Sequence, residues 1–361
     1  MRAREQVPKD LQGATCRLPP DIRDFSAEQL PVVEEEYLPM DTTSGQTAVL
    51  QTMDPPEDGP PTSAPAAPDS SVRLTRVVAD LREVLFHPVD VDDLSNRVDT
   101  IARDLRLVVA QDADLALFQV HRYGSRQHGI YSVVHAVECA IACEFIARRL
   151  SWPQESMASL VKAALTMNIA ITELQGTLAS QTTRMGAPTA KQAQAIAMHP
   201  ARGAEILLDA GVRDTAWLRA VEQHHEHADG RGYPRGMCEP FHLATTLRYV
   251  DEFFAKISAR ASRPAMPLHR AAQQLYTNAD GRLIVETLIR EFGLYPPGTY
   301  VRLANGDLGI VLRRGSRVNT PFAVALANRH GERLPRRIYR DTSDTRYAIV
   351  MASNMGNEHR L

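Results

Sequence analysis

The segment His224-His225-Glu226-His227-Ala228-Asp229-Gly230-Arg231-Gly232-Tyr233-Pro234 places paired imidazoles, carboxylates and a two-glycine turn in one short stretch. Neutral imidazole is the commonest metal ligand among side chains, and glycine lets the backbone approach a substrate closely. A histidine pair alone is more often a solvated helix end. The glycine-rich continuation into Tyr233-Pro234 favours a metal site with a binding loop attached to it.

Three further stretches of the chain suit the same chemistry. Tyr131-Ser132-Val133-Val134-His135 places a histidine in an apolar run, and Tyr249-Val250-Asp251 places an aspartate in another. Met198-His199-Pro200 comes shortly before Gly203-Ala204-Glu205-Ile206-Leu207. Together with the opening segment, these stretches resemble the sequence pattern of the HD-GYP family, the cyclic di-GMP phosphodiesterases among the HD metal-dependent phosphohydrolases. The resemblance spans about residues 129 to 294.

The resemblance implies a fold, a metal centre and a substrate. The fold is expected to be mainly α, with an all-helical HD-type domain. The family's first metal position is implied to use His199, His224 and His225, and its second position His135 and Asp251. The implied ligand is cyclic di-GMP or a related dinucleotide. The residues implied to bind it are Gly232, Tyr233, Pro234 and Arg263.

One element of the family pattern is missing. The His-Asp doublet and the lysine that follows it are replaced by Met167, Asn168 and Ile171. Methionine and asparagine supply neither an imidazole nor the charged carboxylate that bridges two cations and offsets their repulsion. The acidic residue that many relatives carry one turn before the first histidine is Tyr131 here. The catalytic residues therefore stay unassigned.

The ligands that remain predict one well-held divalent cation at most, with Fe, Mn or Zn as candidates. Three histidines suit a tetrahedral ion with water in the fourth position, whereas His135 and Asp251 alone are few for a second ion. Hydrolysis of the cyclic dinucleotide is therefore expected to be weakened or lost. A non-catalytic cyclic di-GMP effector or protein-interaction scaffold is the alternative. In that case the site holds no metal, and Met167 and Asn168 fill a buried helix.

Composition favours a cytoplasmic protein without affinity for nucleic acid. The chain has 361 residues, 44% of them hydrophobic, and a formal net charge of −2, which argues against broad binding of nucleic acid. Cys139 and Cys143 follow His135 at spacings of four, and small thiols on such a face are commonly core residues. Neither a signal peptide nor a membrane span is expected. Other signalling proteins and a second copy of the chain, in a homodimer, stay open as partners.

Changes in composition and hydrophobic period divide the chain into four parts. Residues 1–71 are acidic and rich in proline, and we expect them to be a disordered arm. Residues 72–128 carry apolar side chains at helical spacing and form an N-terminal helical region. Residues 129–294 are the HD-GYP-like domain, and residues 295–361 change to the alternating pattern of strands.

Local signals place ends and turns within these parts. Asp92-Asp93 and Asp112-Ala113-Asp114 stand where helices would begin with acidic caps. Ala304-Asn305-Gly306-Asp307 predicts a hairpin turn, and residues 322–326 and 347–351 predict two further strands. The result is a small β module of barrel or SH3-like type. Its many arginines are interpreted as a solvated surface.

Overall fold

The computed structural model describes residues 68–126, 130–180, 188–258, 265–276 and 281–352. Nearly all of the expected acidic arm, Cys16 and the candidate substrate ligand Arg263 lie outside these ranges. The first helix begins at Pro68, so it includes the last residues that the sequence assigns to the arm.

The N-terminal region is a set of three helices, α1 (Pro68–Phe86), α2 (Leu94–Gln111) and α3 (Ala113–Arg126). Asp93 caps α2, because its side chain accepts a hydrogen bond from the backbone N–H of Asn96. The Asp112 side chain accepts one from the N–H of Leu115 at the start of α3. Both acidic caps expected from the sequence are therefore confirmed. The apolar faces of these helices join the same core as the rest of the helical domain.

The centre of the helical domain is α4 (Tyr131–Arg149), which packs most extensively against α5 (Gln154–Thr166). Nearly every side chain from Ser132 to Ala147 is buried, on all sides of α4. A helix that is apolar all round is a core helix. Its position brings His135 and Cys139 into the interior of the domain.

By length and composition, Gln154–Ser180 could cross a membrane. This stretch is not one straight helix, because a 3₁₀ turn at Ile169–Ile171 separates α5 from α6 (Thr172–Ser180). Of its most apolar window, 67% is buried inside the fold, as is usual for a core helix. The expectation that the chain has no membrane span stays a prediction.

The remaining helices surround α4 and carry the other candidate ligands. They are α7 (Ala190–Asp209), α8 (Thr215–Gln223), α9 (His242–Ile257), α10 (Leu268–Tyr276) and α11 (Arg282–Phe292). His199 lies inside α7, whereas the sequence pattern places it before the helix. Asp251 lies in the middle of α9. The prediction of a mainly α fold is confirmed.

The C-terminal part is an antiparallel sheet. Its strands are β1 (Tyr300–Leu303), β2 (Leu308–Arg313), β3 (Phe322–Ala327), β4 (Arg333–Asp341) and β5 (Ile349–Ala352), in the order β4-β3-β2-β1-β5. The predicted hairpin is confirmed as β1 and β2. Two details differ from the sequence-based expectation: β4 was missed, because its arginines hide the alternation, and residues 345–347 form a 3₁₀ turn before β5.

The sheet is attached to the helices by partly buried ion pairs. Arg313 contacts Asp112 at 3.0 Å, and the guanidinium of Arg314 contacts Asp114 at 2.5 Å. Arg314 also donates a hydrogen bond to the carbonyl oxygen of Glu291. These two arginines therefore join the domains and are not part of a solvated surface.

Candidate metal centre

The structure brings together three imidazoles that are separated along the chain. His199 lies on α7, His224 ends α8, and His225 follows it. The Nε2 atoms of His199 and His224 are 3.2 Å apart, and one ligand atom of each of the three residues lies within 4.8 Å of the others. Two imidazole nitrogens bound to one tetrahedral cation would be about 3.3 Å apart. The spacing of these side chains therefore fits a single divalent cation.

The hydrogen bonds of His199 and His224 leave their metal-binding nitrogens free. His199 Nδ1 lies 2.6 Å from the carbonyl oxygen of Ile196, and His224 Nδ1 lies 2.7 Å from that of Val221. A carbonyl only accepts, so each Nδ1 donates a proton and each neutral ring presents an unprotonated Nε2. Two facing lone pairs need a proton or a cation between them. Such bonding of the second nitrogen is the usual support of a metal-bound histidine.

The helix that positions the histidine pair is held firmly at its start. The Asp214 side chain accepts a hydrogen bond from the N–H of Trp217 and caps α8. Lys162 on α5 contacts Asp214 at 2.9 Å, and the fully buried Trp217 donates its indole N–H to Thr166. These contacts fix the axis of α8, and with it the direction of His224.

Burial keeps the three imidazoles neutral. Desolvation, together with the neighbouring His224, lowers the pKa of His199 to about 3. Desolvation also lowers the pKa of His224, and it lowers that of His225 well below its usual value. Metal binding requires the neutral ring, so the three residues are in the form that binds a cation.

The same pKa shifts predict that the metal-free protein loses stability as the pH falls below 6.5. Between about 3 and 6.5 the unfolded chain binds a proton on His199 that the native site does not bind, and the lowered pKa values of His224 and His225 act in the same direction. The free energy of unfolding therefore rises with pH in this range. Urea unfolding of chelator-treated protein at a series of pH values measures this dependence. The slope of the unfolding free energy against pH should correspond to on the order of one to three protons. A free energy of unfolding that is constant from neutral pH to about pH 4.5 would contradict this prediction.

A second group of side chains lies next to the first. His135 Nε2 is 2.7 Å from Asp251 Oδ1, and Cys139 Sγ is 3.7 Å from the same nitrogen. Asp251 Oδ2 lies 4.0 Å from His225 Nε2. Burial alone would raise the pKa of Asp251, but the bond to His135 and the nearby histidines hold it well below its usual value. Asp251 is therefore an anion between the two groups.

The glycine loop folds back onto the histidine pair. Tyr233 donates its backbone N–H to the carbonyl oxygen of His225, and its ring stacks on the His225 ring at a centroid distance of 4.6 Å. The buried Glu226 carboxylate accepts the N–H groups of Arg235 and Met237. Asp229 accepts the N–H of Arg231 and so orders the turn. The loop is thus rigid and covers one side of His225.

Comparison with known proteins agrees with this geometry. The family model for the HD domain matches residues 109–283, a range that contains all of the candidate ligands named above. The "Cyclic di-GMP phosphodiesterase PA4108" of Pseudomonas aeruginosa is 25% identical over 193 residues, or 52% of this chain and 45% of that protein. The chain carries an HD domain, and these two matches support its membership of the HD-GYP family. The sequence-based identification is therefore confirmed.

The fold comparison supports the same assignment. "Bd1817, a HDG"Y"P protein from Bdellovibrio bacteriovorus" matches with a TM-score of 0.51 and 17% identity, over 64% of this chain and 74% of that one. At this identity the likeness concerns the fold. The sequence match spans less than half the length of the P. aeruginosa phosphodiesterase.

The HD-GYP doublet position is part of the core. Met167 is fully buried at the end of α5, and its carbonyl oxygen lies against Gly203, one helical turn after His199. Asn168 is buried too, and its carbonyl oxygen accepts a hydrogen bond from the N–H of Ile171. The segment thus packs against the helix that carries His199, but its Met167 and Asn168 side chains offer neither an imidazole nor a carboxylate.

Sequence reasoning missed two residues of this HD-GYP site. Cys139 was interpreted as a core thiol, yet it joins His135 and Asp251 in a group whose ligand atoms lie within 4.8 Å of one another. Its spacing of four from His135 was the available signal. Glu226, inside the opening segment, holds the loop in place through two backbone N–H groups. Tyr233 is expected to bind the dinucleotide, and in the structure its ring stacks on the ring of His225.

Proposed function

We propose that this HD-GYP protein acts in cyclic di-GMP signalling, as a metal-dependent phosphodiesterase scaffold whose hydrolysis of the dinucleotide is weakened or lost. The observation that carries the proposal is the convergence of His199, His224 and His225 beside the loop of residues 232–234. The similarity to a cyclic di-GMP phosphodiesterase of P. aeruginosa supports cyclic di-GMP as the substrate class. A cytoplasmic location and a homodimer remain predictions.

In this proposal one divalent cation is held by His199, His224 and His225. Fe, Mn and Zn are the candidates, and Fe and Zn suit imidazole ligands better than Mn does. Such a cation stabilises charge on a phosphate and lowers the pKa of bound water. The chain's own residues keep the site prepared for it. The carbonyl oxygens of Ile196 and Val221 fix two tautomers, and the Tyr233 ring shields one side of His225 from water.

The phosphodiester would lie against the loop. Gly232 has no side chain, so the loop can pack directly on the backbone of His225, Glu226 and His227 and place its next residues beside the histidines. Tyr233 and Pro234 present apolar surface beside the histidines, and both are only partly buried. Arg263, which lies outside the described residues, is proposed to contact phosphate oxygens through forked hydrogen bonds.

The weakness of the proposed hydrolysis follows from the doublet position. A phosphodiesterase needs an activated hydroxide and stabilisation of negative charge at phosphorus. Met167 and Asn168 supply no charge, and Ile171 replaces the lysine that would face a phosphate. Asp251 is a carboxylate that lies 4.0 Å from His225, and it already bonds to His135.

A non-catalytic role is the second candidate function, and the burial of Met167 favours it. The Met167 side chain is part of the continuous apolar core, so its replacement of a histidine stabilises the fold while it removes a ligand. Such a protein would bind cyclic di-GMP, or another signalling protein, without cleaving anything.

The experiment is direct. The full chain, loaded with Mn or Fe, is titrated with cyclic di-GMP by calorimetry, and the products are then separated by chromatography. We expect binding, with turnover far slower than that of the P. aeruginosa enzyme assayed beside it. If the metal-loaded chain does not bind cyclic di-GMP, the proposal is wrong. Turnover equal to that of the comparison enzyme would refute the proposed weakening.

A further inference from the structure

Cys139 lies one helical turn after His135 on α4 and is fully buried. Its Sγ atom is 3.7 Å from His135 Nε2. A thiolate and an imidazole nitrogen bound to the same tetrahedral cation would be about 3.6 Å apart, given metal–sulfur and metal–nitrogen distances of about 2.3 and 2.1 Å. The two atoms are thus already spaced as ligands of one ion.

Asp251 completes this group from α9. Its Oδ1 atom lies 2.7 Å from His135 Nε2, while its Oδ2 atom faces His225 Nε2 at 4.0 Å. One carboxylate therefore reaches both sets of side chains, and its charge could offset the repulsion between two cations. The family doublet would contribute such a bridging carboxylate, and here that position is Asn168.

We propose that Cys139 Sγ is a ligand of a divalent cation at the second metal position, where it joins His135 Nε2 and the carboxylate of Asp251, which also connects this position to the three-histidine group. The inference rests on the metal centre of the proposed function and adds a thiolate ligand to it. It replaces the expectation of one ion at most, which counted only His135 and Asp251 at this position. When the cation binds, the Cys139 proton leaves to solvent.

The helical geometry selects Cys139 over the neighbouring Cys143, although both are fully buried. An α-helix rises about 1.5 Å per residue, so Cys143 is displaced about 12 Å from His135 along α4, whereas Cys139 is displaced about 6 Å. Cys143 belongs to neither ligand group among the described residues. It is therefore a matched control: the same residue type, on the same helix and equally buried.

The ligand set determines which ions fit. A thiolate favours Zn, Fe(II) or Co(II) over hard ions such as Mg and Ca. His135 Nδ1 is buried without a hydrogen-bond partner among the described residues, and the ring is supported by stacking on Tyr131. A missing hydrogen bond to a metal-bound histidine weakens affinity by about 10- to 100-fold. A chelator should therefore remove this ion before the ion of the three histidines.

The test uses Co(II) as the probe, because thiolate ligation gives an intense charge-transfer band in the near ultraviolet that histidine and carboxylate ligands do not give. The full chain is freed of metal and titrated with Co(II). We expect two equivalents to bind, with the thiolate band appearing with the weaker one. Cys139→Ser should lose the band and one equivalent, whereas Cys143→Ser should keep both.

A second variant keeps the test decisive if Cys139→Ser does not fold. In the triple variant Cys16→Ser, Cys143→Ser, Cys238→Ser, Cys139 is the only thiol that remains, and the band should persist. A wild-type protein without the band, or a band that the triple variant loses, overturns the inference. If one Co(II) binds and the band does not appear, the three-histidine site is supported and only the second metal site is refuted. A band without cyclic di-GMP binding refutes the proposed function instead.

Discussion

Gly232→Ala is expected to lower the metal affinity of the site by at least about tenfold, although the substitution adds only one methyl group. A Cβ atom at this position would lie 2.4 Å from Glu226 Cα and from His227 N, and 2.5 Å from the carbonyl oxygen of His225. All three are backbone atoms, so the loop itself must move. The hydrogen bond from Tyr233 N–H to His225 and the stacking of the two rings would then be lost.

The measurement is competition of the purified variant with a chelator of known affinity, with helicity followed by circular dichroism. Gly176→Ala on α6 is the matched control, because a Cβ atom there would meet only the Ser132 hydroxyl at 3.7 Å, an ordinary contact. Alanine in a helix is favoured over glycine by about 0.5–1 kcal/mol, so this variant should keep its metal. Unchanged affinity in Gly232→Ala would mean that the loop does not support the histidines.

Restoring the doublet, with Met167→His and Asn168→Asp together, is expected to raise hydrolysis of cyclic di-GMP by on the order of a hundredfold. The double change supplies an imidazole and a carboxylate next to the helix that carries His199. A carboxylate at position 168 would offset the positive charge of bound cations, which the neutral amide of Asn168 cannot do. Steady-state turnover with saturating Mn or Fe measures the effect.

Asn168→Asp alone is the control for the doublet, since it restores the carboxylate without the imidazole and should give a smaller increase. Met167 is fully buried, so circular dichroism must show that the double variant folds. A folded, metal-loaded double variant with unchanged turnover would show that the loss of the doublet does not limit hydrolysis.

Sequence patterns predicted the helical domain well, because the apolar period of α1 and α2 leaves little choice of which face is buried. They also predicted the convergence of His199 with His224 and His225, since the family resemblance fixes which helices meet. Composition cannot show how these helices cross. The contact of Asp251 with His135 and His225 depends on the packing of α9 against α4, which joins residues far apart in the chain.

The missed features have physical reasons. Cys139 has the spacing of a core residue and of a ligand alike, and only the position of Asp251 separates the two interpretations. The strand β4 contains a proline and four arginines, two of them adjacent, so its few apolar residues do not show the period of a strand in hydropathy. Arg313 and Arg314 looked like surface charge, but they contact Asp112 and Asp114, about two hundred positions earlier.

The most direct measurement is the metal content of the full chain by elemental analysis, compared between the wild type and His224→Gln. The ring of His224 is fully buried, with Nδ1 bonded to Val221 and Nε2 facing His199. We predict near-stoichiometric Fe, Mn or Zn in the wild type, and its loss in the variant while helicity is retained. A folded wild-type protein that stays metal-free after incubation with all three ions would contradict the central claim that these imidazoles form a metal site.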